Sequence, residues 1–241
     1  MTGARAMAVA GLWVWVVFGV QAQGMDRVRL DGLGGWSIDR TEVTIAQFRR
    51  FVQETGTITR AEREGGGFEY QGAWVRRPQW TWQQPDGQAH ASPDVPAVHL
   101  THAEATAYCQ WAGGRLPTAH EWRLAGFTEA RTHPPAPWQR GHTYPWATGD
   151  SPAGANTSDP DPWPRAAPVS QTAAGVNGLH DMGANVWEWS VDARGHERRT
   201  LGGSWWYPPS QMQADVEAWK PVDFYAVYIG FRCVYDRFGV D

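Results

Sequence analysis

Residues 128–168, TEARTHPPAPWQRGHTYPWATGDSPAGANTSDPDPWPRAAP, constrain what this chain can fold into more than any other part of it. Proline removes a backbone donor and glycine widens the backbone's choices, so a stretch this dense in both, and in Asp, suits neither helix nor regular ladder. A connection of that length inside a compact domain needs an extra fastener, such as a metal, a disulfide or aromatic packing. The chain has 16 tryptophans. Their large rigid faces, each with one N–H donor, suit the anchoring of long connections, and equally an ordinary core.

The remaining composition is that of a globular domain: 42% hydrophobic and 19% charged over 241 residues. A chain of this size buries roughly 70% of the surface its unfolded form exposes, enough for a single core. Residues 1–22 read as a secretory signal peptide, with Arg5, a continuous apolar run from Ala6 to Val20, and Val20-Gln21-Ala22 before a cut. An uncleaved N-terminal anchor is the alternative. Residues 23–241 then form one domain, because no repeat, heptad or break in composition divides them. The mild excess of acidic residues, net charge −4, and the lack of basic runs argue against nucleic acid and against a membrane beyond the leader. Export also bears on the two cysteines, Cys109 and Cys233. In an oxidising compartment an isolated pair is most simply a disulfide.

Three helices can be placed. One follows Thr44 through IAQFRRFVQET, with Phe48, Phe51 and Val52 on a stripe and Gly56 as its stop. Thr101 and Glu104 form a capping box that opens the second, which ends at Gly113-Gly114, and Thr118 and Glu121 open the third. Short strands fit VWEWSVD (186–192), RTLGGSW (199–205) and YIGFRCVYD (228–236). The expected class is α+β.

Several segments together resemble the formylglycine-generating enzyme family, also called sulfatase-modifying factor domains: DRTEVTIAQFRRFV (39–52), AYCQWAGGRLPTAHEWRLAG (107–126), YPWA (144–147), NGLHDMGANVWEWSVD (177–192), LGGSWW (201–206) and IGFRCVYD (229–236). The resemblance implies a C-type-lectin-like α+β fold with little regular structure, and pairs Cys109 with Cys233. It also implies two structural calcium ions. One would take the side chains of Asn156 and Asp161 with the carbonyls of Thr157 and Trp163. The other would take the side chains of Asp181 and Glu188 with the carbonyls of Ala184 and Val186. Hard oxygen donors around tight turns suit Ca²⁺. Glu188, flanked by Trp187 and Trp189, could instead belong to an acid–base pair with Asp181.

Oxidase members of the family hold Cu(I) on two cysteines after the GGS motif, as soft thiolates prefer. Here Ser204 keeps its place, while Tyr207 and Met212 stand at the two cysteine positions. Copper, and with it formylglycine formation, is therefore not expected. The iron-binding motif of the family's sulfoxide synthases is missing as well, and Ser204 lacks the strand-to-helix elbow of a hydrolase nucleophile. Three roles follow: a maturation or oxidative accessory acting on a periplasmic protein or peptide by another route, a binding module that holds a peptide or glycan in an aromatic groove around Ser204, Trp205, Trp206, Tyr207 and Met212, or a structural accessory of a periplasmic complex.

Overall fold

The computed structural model describes residues 26–88 and 91–236. The leader predicted over residues 1–22 lies outside them. Among the described residues no helix is long and apolar enough to cross a membrane.

Local chemistry explains where the helices begin. Thr44, Thr59, Thr101 and Thr118 each accept a hydrogen bond from a backbone N–H three residues on. A Gln or Glu side chain returns the favour at each start, completing four capping boxes. These open α1 (Ile45–Thr55), α2 (Arg60–Arg63), α3 (His102–Trp111) and α4 (Ala119–Phe127). Gly56 ends α1 at a φ of 70°, a left-handed stop that glycine adopts freely. The three sequence-predicted helices are present; α2 is an addition, short enough to escape a periodicity argument.

The strands make three small sheets. β1 (Arg27–Leu30), β2 (Trp36–Asp39) and β9 (Val234–Tyr235) pair antiparallel in the order β1-β2-β9 and join the two ends of the domain. β3 (Gly66–Tyr70) and β4 (Trp74–Pro78) form a hairpin that the sequence did not announce. The largest sheet runs β7-β6-β5-β8, from β5 (Trp187–Arg194), β6 (Glu197–Leu201), β7 (Glu217–Pro221) and β8 (Ile229–Gly230), with β8 parallel to β5. The predicted strand through GGSW stops at Leu201, because Gly202 and Gly203 turn the chain at φ of 97° and 72°. The stretch 228–236 carries only β8 and β9; between them Arg232 turns inward to be buried.

Two clusters make the core. One gathers Phe48, Phe51, Trp82, Tyr108, Trp187, Trp189 and Phe231; the other gathers Trp36, Ile38, Trp122, Phe127, Met182 and Leu201. The disulfide between Cys109 on α3 and Cys233 beside β9 is buried in the first and spans 124 residues of sequence. Residues 128–168 have no helix or strand, only isolated bridges such as Thr128 to Thr143. They are held by side chains: Trp138 stacks edge-on against Tyr144 at 5.0 Å, and Asn177 receives Ala130 N–H on its Oδ1 while donating to the Ala125 and Thr128 carbonyls.

Candidate functional site

The groove loop begins where β6 ends. A Cβ on Gly202 would stand 3.0 Å from the Trp122 ring, and one on Gly203 would stand 2.9 Å from the Gln211 carbonyl oxygen. The double glycine thus lets the loop lie flat on the core before Ser204. The Ser204 side chain is 1% exposed, and its Oγ accepts from Trp206 N–H at 3.3 Å, closing a tight turn. That hydroxyl shapes the loop rather than facing a histidine base.

The two positions aligned with the family's cysteines have different surroundings. Tyr207 is half-buried, edge-on to Trp187 at 5.7 Å and to Tyr228 at 5.9 Å. Burial pushes the Tyr228 hydroxyl far above its ordinary pKa, with the neighbouring Tyr207 adding to the shift. Met212 is 1% exposed, and its carbonyl lies where a Cβ on Gly183 would come within 2.8 Å. Met212 therefore belongs to the packing beneath the loop. Trp205 and Trp206, with ring centres 5.0 Å apart, stand over Thr157, Asp159, Asp161 and Trp163 across an open groove of about 350 Å³. Ser158 N–H donates to the Tyr207 carbonyl at 3.0 Å, so the 156–163 loop forms the opposite wall.

The 156–163 turn gathers oxygens. Asp161 accepts from the backbone N–H of Thr157 and of Trp163, at 3.0 and 2.7 Å. Asn156 is fully buried and its Oδ1 has no hydrogen-bond partner. An amide oxygen left bare in the interior costs about 1–3 kcal/mol unless something completes it, and a cation would do so.

The 181–188 turn is strained. Asp181, Ala184 and Asn185 all have positive φ, at 57°, 143° and 51°. Each such residue costs on the order of 1–3 kcal/mol and persists only where its surroundings hold it. Asn185 supplies much of that hold. Its N–H donates to the Asn156 carbonyl, its carbonyl accepts from Trp205 N–H, its Oδ1 accepts from Asn156 Nδ2 and Ala167 N–H, and its Nδ2 donates to Glu42 Oε1. One residue, through side chain and backbone together, thereby joins both candidate calcium loops to the groove loop.

Glu188 is differently placed from an acid–base residue. It forms a buried pair with Arg232, Nη2 to Oε1 at 2.7 Å, and accepts from Trp122 Nε1 at 2.8 Å. Asp181 is buried, and neither of its oxygens makes a hydrogen bond of normal geometry; the Thr172 hydroxyl is the donor nearest to doing so. Burial pushes its carboxyl up to about 6. Glu42, Asn185 and Arg232, none singled out by sequence reasoning, share this centre. No periodicity marks them, and only the closing of β2 and β8 around the turn brings them together.

A small-sheet α+β domain, closed by its terminal strands and carrying a GGS loop over two oxygen-rich turns, is a C-type-lectin-like architecture. The model of the sulfatase-modifying factor enzyme 1-like domain matches residues 18–237, and the chain belongs to that family. It is 29% identical over an alignment of 272 positions, gaps included, to the formylglycine-generating enzyme of Thermomonospora curvata, covering 88% of this chain and 86% of that protein. It is 28% identical over 237 residues to the mouse protein named inactive C-alpha-formylglycine-generating enzyme 2, covering 82% and 74%. Its fold superposes on PvdO from Pseudomonas aeruginosa with a TM-score of 0.61 at 18% identity, over 84% of this chain and 80% of that one.

Proposed function

We propose that this protein is an exported member of the family that engages a protein or peptide client in the groove beside Ser204, in a maturation role other than formylglycine formation. One observation carries the reading: the positions aligned with the thiolate pair hold a phenol packed between two aromatic rings and a thioether buried beneath the loop. Both cysteines of the sequence are joined to each other, which leaves no thiolate for Cu(I). The family also includes a relative named as inactive, consistent with loss of the oxidase chemistry. The groove is walled by Trp205, Trp206 and Trp163. Calcium at the 156–163 and 181–188 turns would serve as a structural fastener for the proline-rich segment.

The test is direct. Purified protein loaded with Cu(I) and given a cysteine-containing peptide under O₂ is expected to yield no aldehyde while still binding the peptide. Formation of formylglycine would overturn the reading. A Trp206→Ala variant is expected to lose peptide binding with its melting temperature unchanged. Binding of a soluble glycan instead, lost in the same variant, would favour a lectin-like role.

A further inference from the structure

The ligand set carried over from the family does not fit the 181–188 turn in one respect. Glu188 has no oxygen to spare. Its Oε1 accepts from Arg232 Nε and Nη2 at 3.0 and 2.7 Å, and its Oε2 accepts from Arg232 Nε and Trp122 Nε1, both at 2.8 Å. A cation bound there would also face the Arg232 guanidinium head-on.

Two neighbouring carboxylates are in the opposite condition. Asp181 is buried, and neither oxygen receives a hydrogen bond of normal geometry, the Thr172 hydroxyl being the nearest donor. Glu42 is fully buried; Oε1 accepts from Asn185 Nδ2 at 3.0 Å, while Oε2 has no partner. Glu42 is bonded to Asn185 in the same turn as Asp181, and Arg232, which holds Glu188, also bonds the carbonyl of His180 next to Asp181, so the four groups form one centre. Three carboxylates against one guanidinium leave a charge of −2 away from water, which burial makes costly unless a cation or protons neutralise it. Asp181 and Glu42 are also on separate segments, so no local turn chemistry explains why their free oxygens share an interior. Among the described residues no three His, Cys, Asp or Glu side chains are spaced to hold a metal by themselves. Neutral oxygens would therefore have to complete any shell built on the two carboxylates.

We propose that Glu42 and Asp181 are the carboxylate ligands of a hard divalent cation at this centre, with Glu188 remaining on Arg232 as its internal counter-charge. The inference rests on the calcium reading above and changes which side chains do the holding. Ca²⁺ is the natural occupant, since it accepts mixed carboxylate and neutral oxygen shells of flexible geometry. Asn185 would then carry the effect outward. It holds Glu42 with its side chain and Trp205 with its carbonyl, so loading the ion fixes one wall of the groove.

The full-length protein, stripped with EDTA, is titrated with CaCl₂ by calorimetry, and melted in EDTA and in calcium. Glu42→Gln is expected to weaken one calcium site by at least about tenfold. It should melt above wild type in EDTA, where it removes an uncompensated charge, and below wild type in calcium. Glu188→Gln is expected to melt lower by a similar amount in both conditions, because it strands Arg232, and to keep its calcium affinity. If Glu42→Gln fails to fold in EDTA, Glu42→Asp, which keeps the charge but shortens the reach, is expected to fold in calcium and bind it more weakly. Equal calcium affinity in wild type and the Glu42 variants, or an equal melting shift of Glu42→Gln in both conditions, overturns the assignment of Glu42 alone. A wild-type protein that takes up no calcium overturns the calcium reading as well.

Discussion

Arg232 and Glu188 form an ion pair closed to solvent, with side-chain exposures of 0% and 1%. The guanidinium leaves no donor idle: Nη1 also reaches the Asp39 and Arg40 carbonyls at 3.2 Å, and Nη2 the His180 carbonyl at 2.8 Å. The pair thus ties β5, the end of β2 and the entry to the 181–188 turn to one point. Arg232→Met is expected to destabilise the protein by about 3–5 kcal/mol, because it leaves Glu188 charged and unpaired in the interior. The double variant Arg232→Met with Glu188→Gln should lose less than the sum of the two single changes, since each removes the same interaction. Urea denaturation of the four proteins checks this, and simple additivity would show that the two groups act independently.

Chelation is expected to lower the melting temperature by several degrees. An ion that binds only the folded chain stabilises it by RT ln(1 + [L]/Kd), about 2.7 kcal/mol at a hundredfold excess over Kd. Because Trp205 hangs on Asn185, the tryptophan emission of the groove should shift at the same calcium concentration as the melting temperature. Scanning calorimetry and fluorescence with and without EDTA provide the measurement. Curves that coincide would count against both candidate turns.

Replacing both cysteines with alanine is expected to cost about 4–5 kcal/mol on the chain-entropy account, since the Cys109–Cys233 link closes a loop of 124 residues' separation. Both cysteines are fully buried, so reductant alone at room temperature should leave the native protein's circular dichroism unchanged, and reductant with moderate urea should not. Loss of structure in reductant without denaturant would show that the bridge is more accessible than its burial indicates.

His99 supplies a pH dependence. Burial holds its imidazole down to about 4 in the folded chain, against an ordinary value of 6.5, and Nε2 meets the Pro85 carbonyl at 2.8 Å. As pH falls through 6.5 the unfolded chain takes up the proton first, so stability declines between pH 6.5 and 4. The full contribution is roughly 3 kcal/mol. Asp39 works the other way: burial pushes its carboxyl up to about 6, so the folded chain holds that proton more tightly and stability declines as pH rises from 3.8 to 6. A His99→Asn variant isolates the first effect, since asparagine tolerates the residue's φ of 59°. The difference in urea midpoint between wild type and variant should depend on pH below 6.5; a constant difference would refute this assignment.

How much was legible in the sequence differs from residue to residue. The caps at Thr101 and Thr118 could be read directly, because a capping box is a contact between residues three apart and carries its own signature; the same box at Thr59 went unread, since the helix it opens is only four residues long. The GGS loop and the 181–188 turn could be located by their resemblance to a family, but not their contents. Ser204 gave no sign that its hydroxyl closes a turn. Nor did Met212 show that it lies beneath the loop while Tyr207 packs edge-on to Trp187. The β3–β4 hairpin went unseen because its strands mix arginine, glycine and aromatic residues without clean alternation.

By itself the sequence determined three of the four helix starts, the irregularity of residues 128–168 and the absence of a second pair of sulfurs, because these depend on residue type and on neighbours a few positions away. Only the tertiary structure decided that Glu42 meets Asn185 across 143 positions, that Arg232 takes Glu188, and that neither oxygen of Asp181 receives a hydrogen bond of normal geometry. Such relations depend on which polar groups are taken out of water together, a cost that no local pattern of residues records.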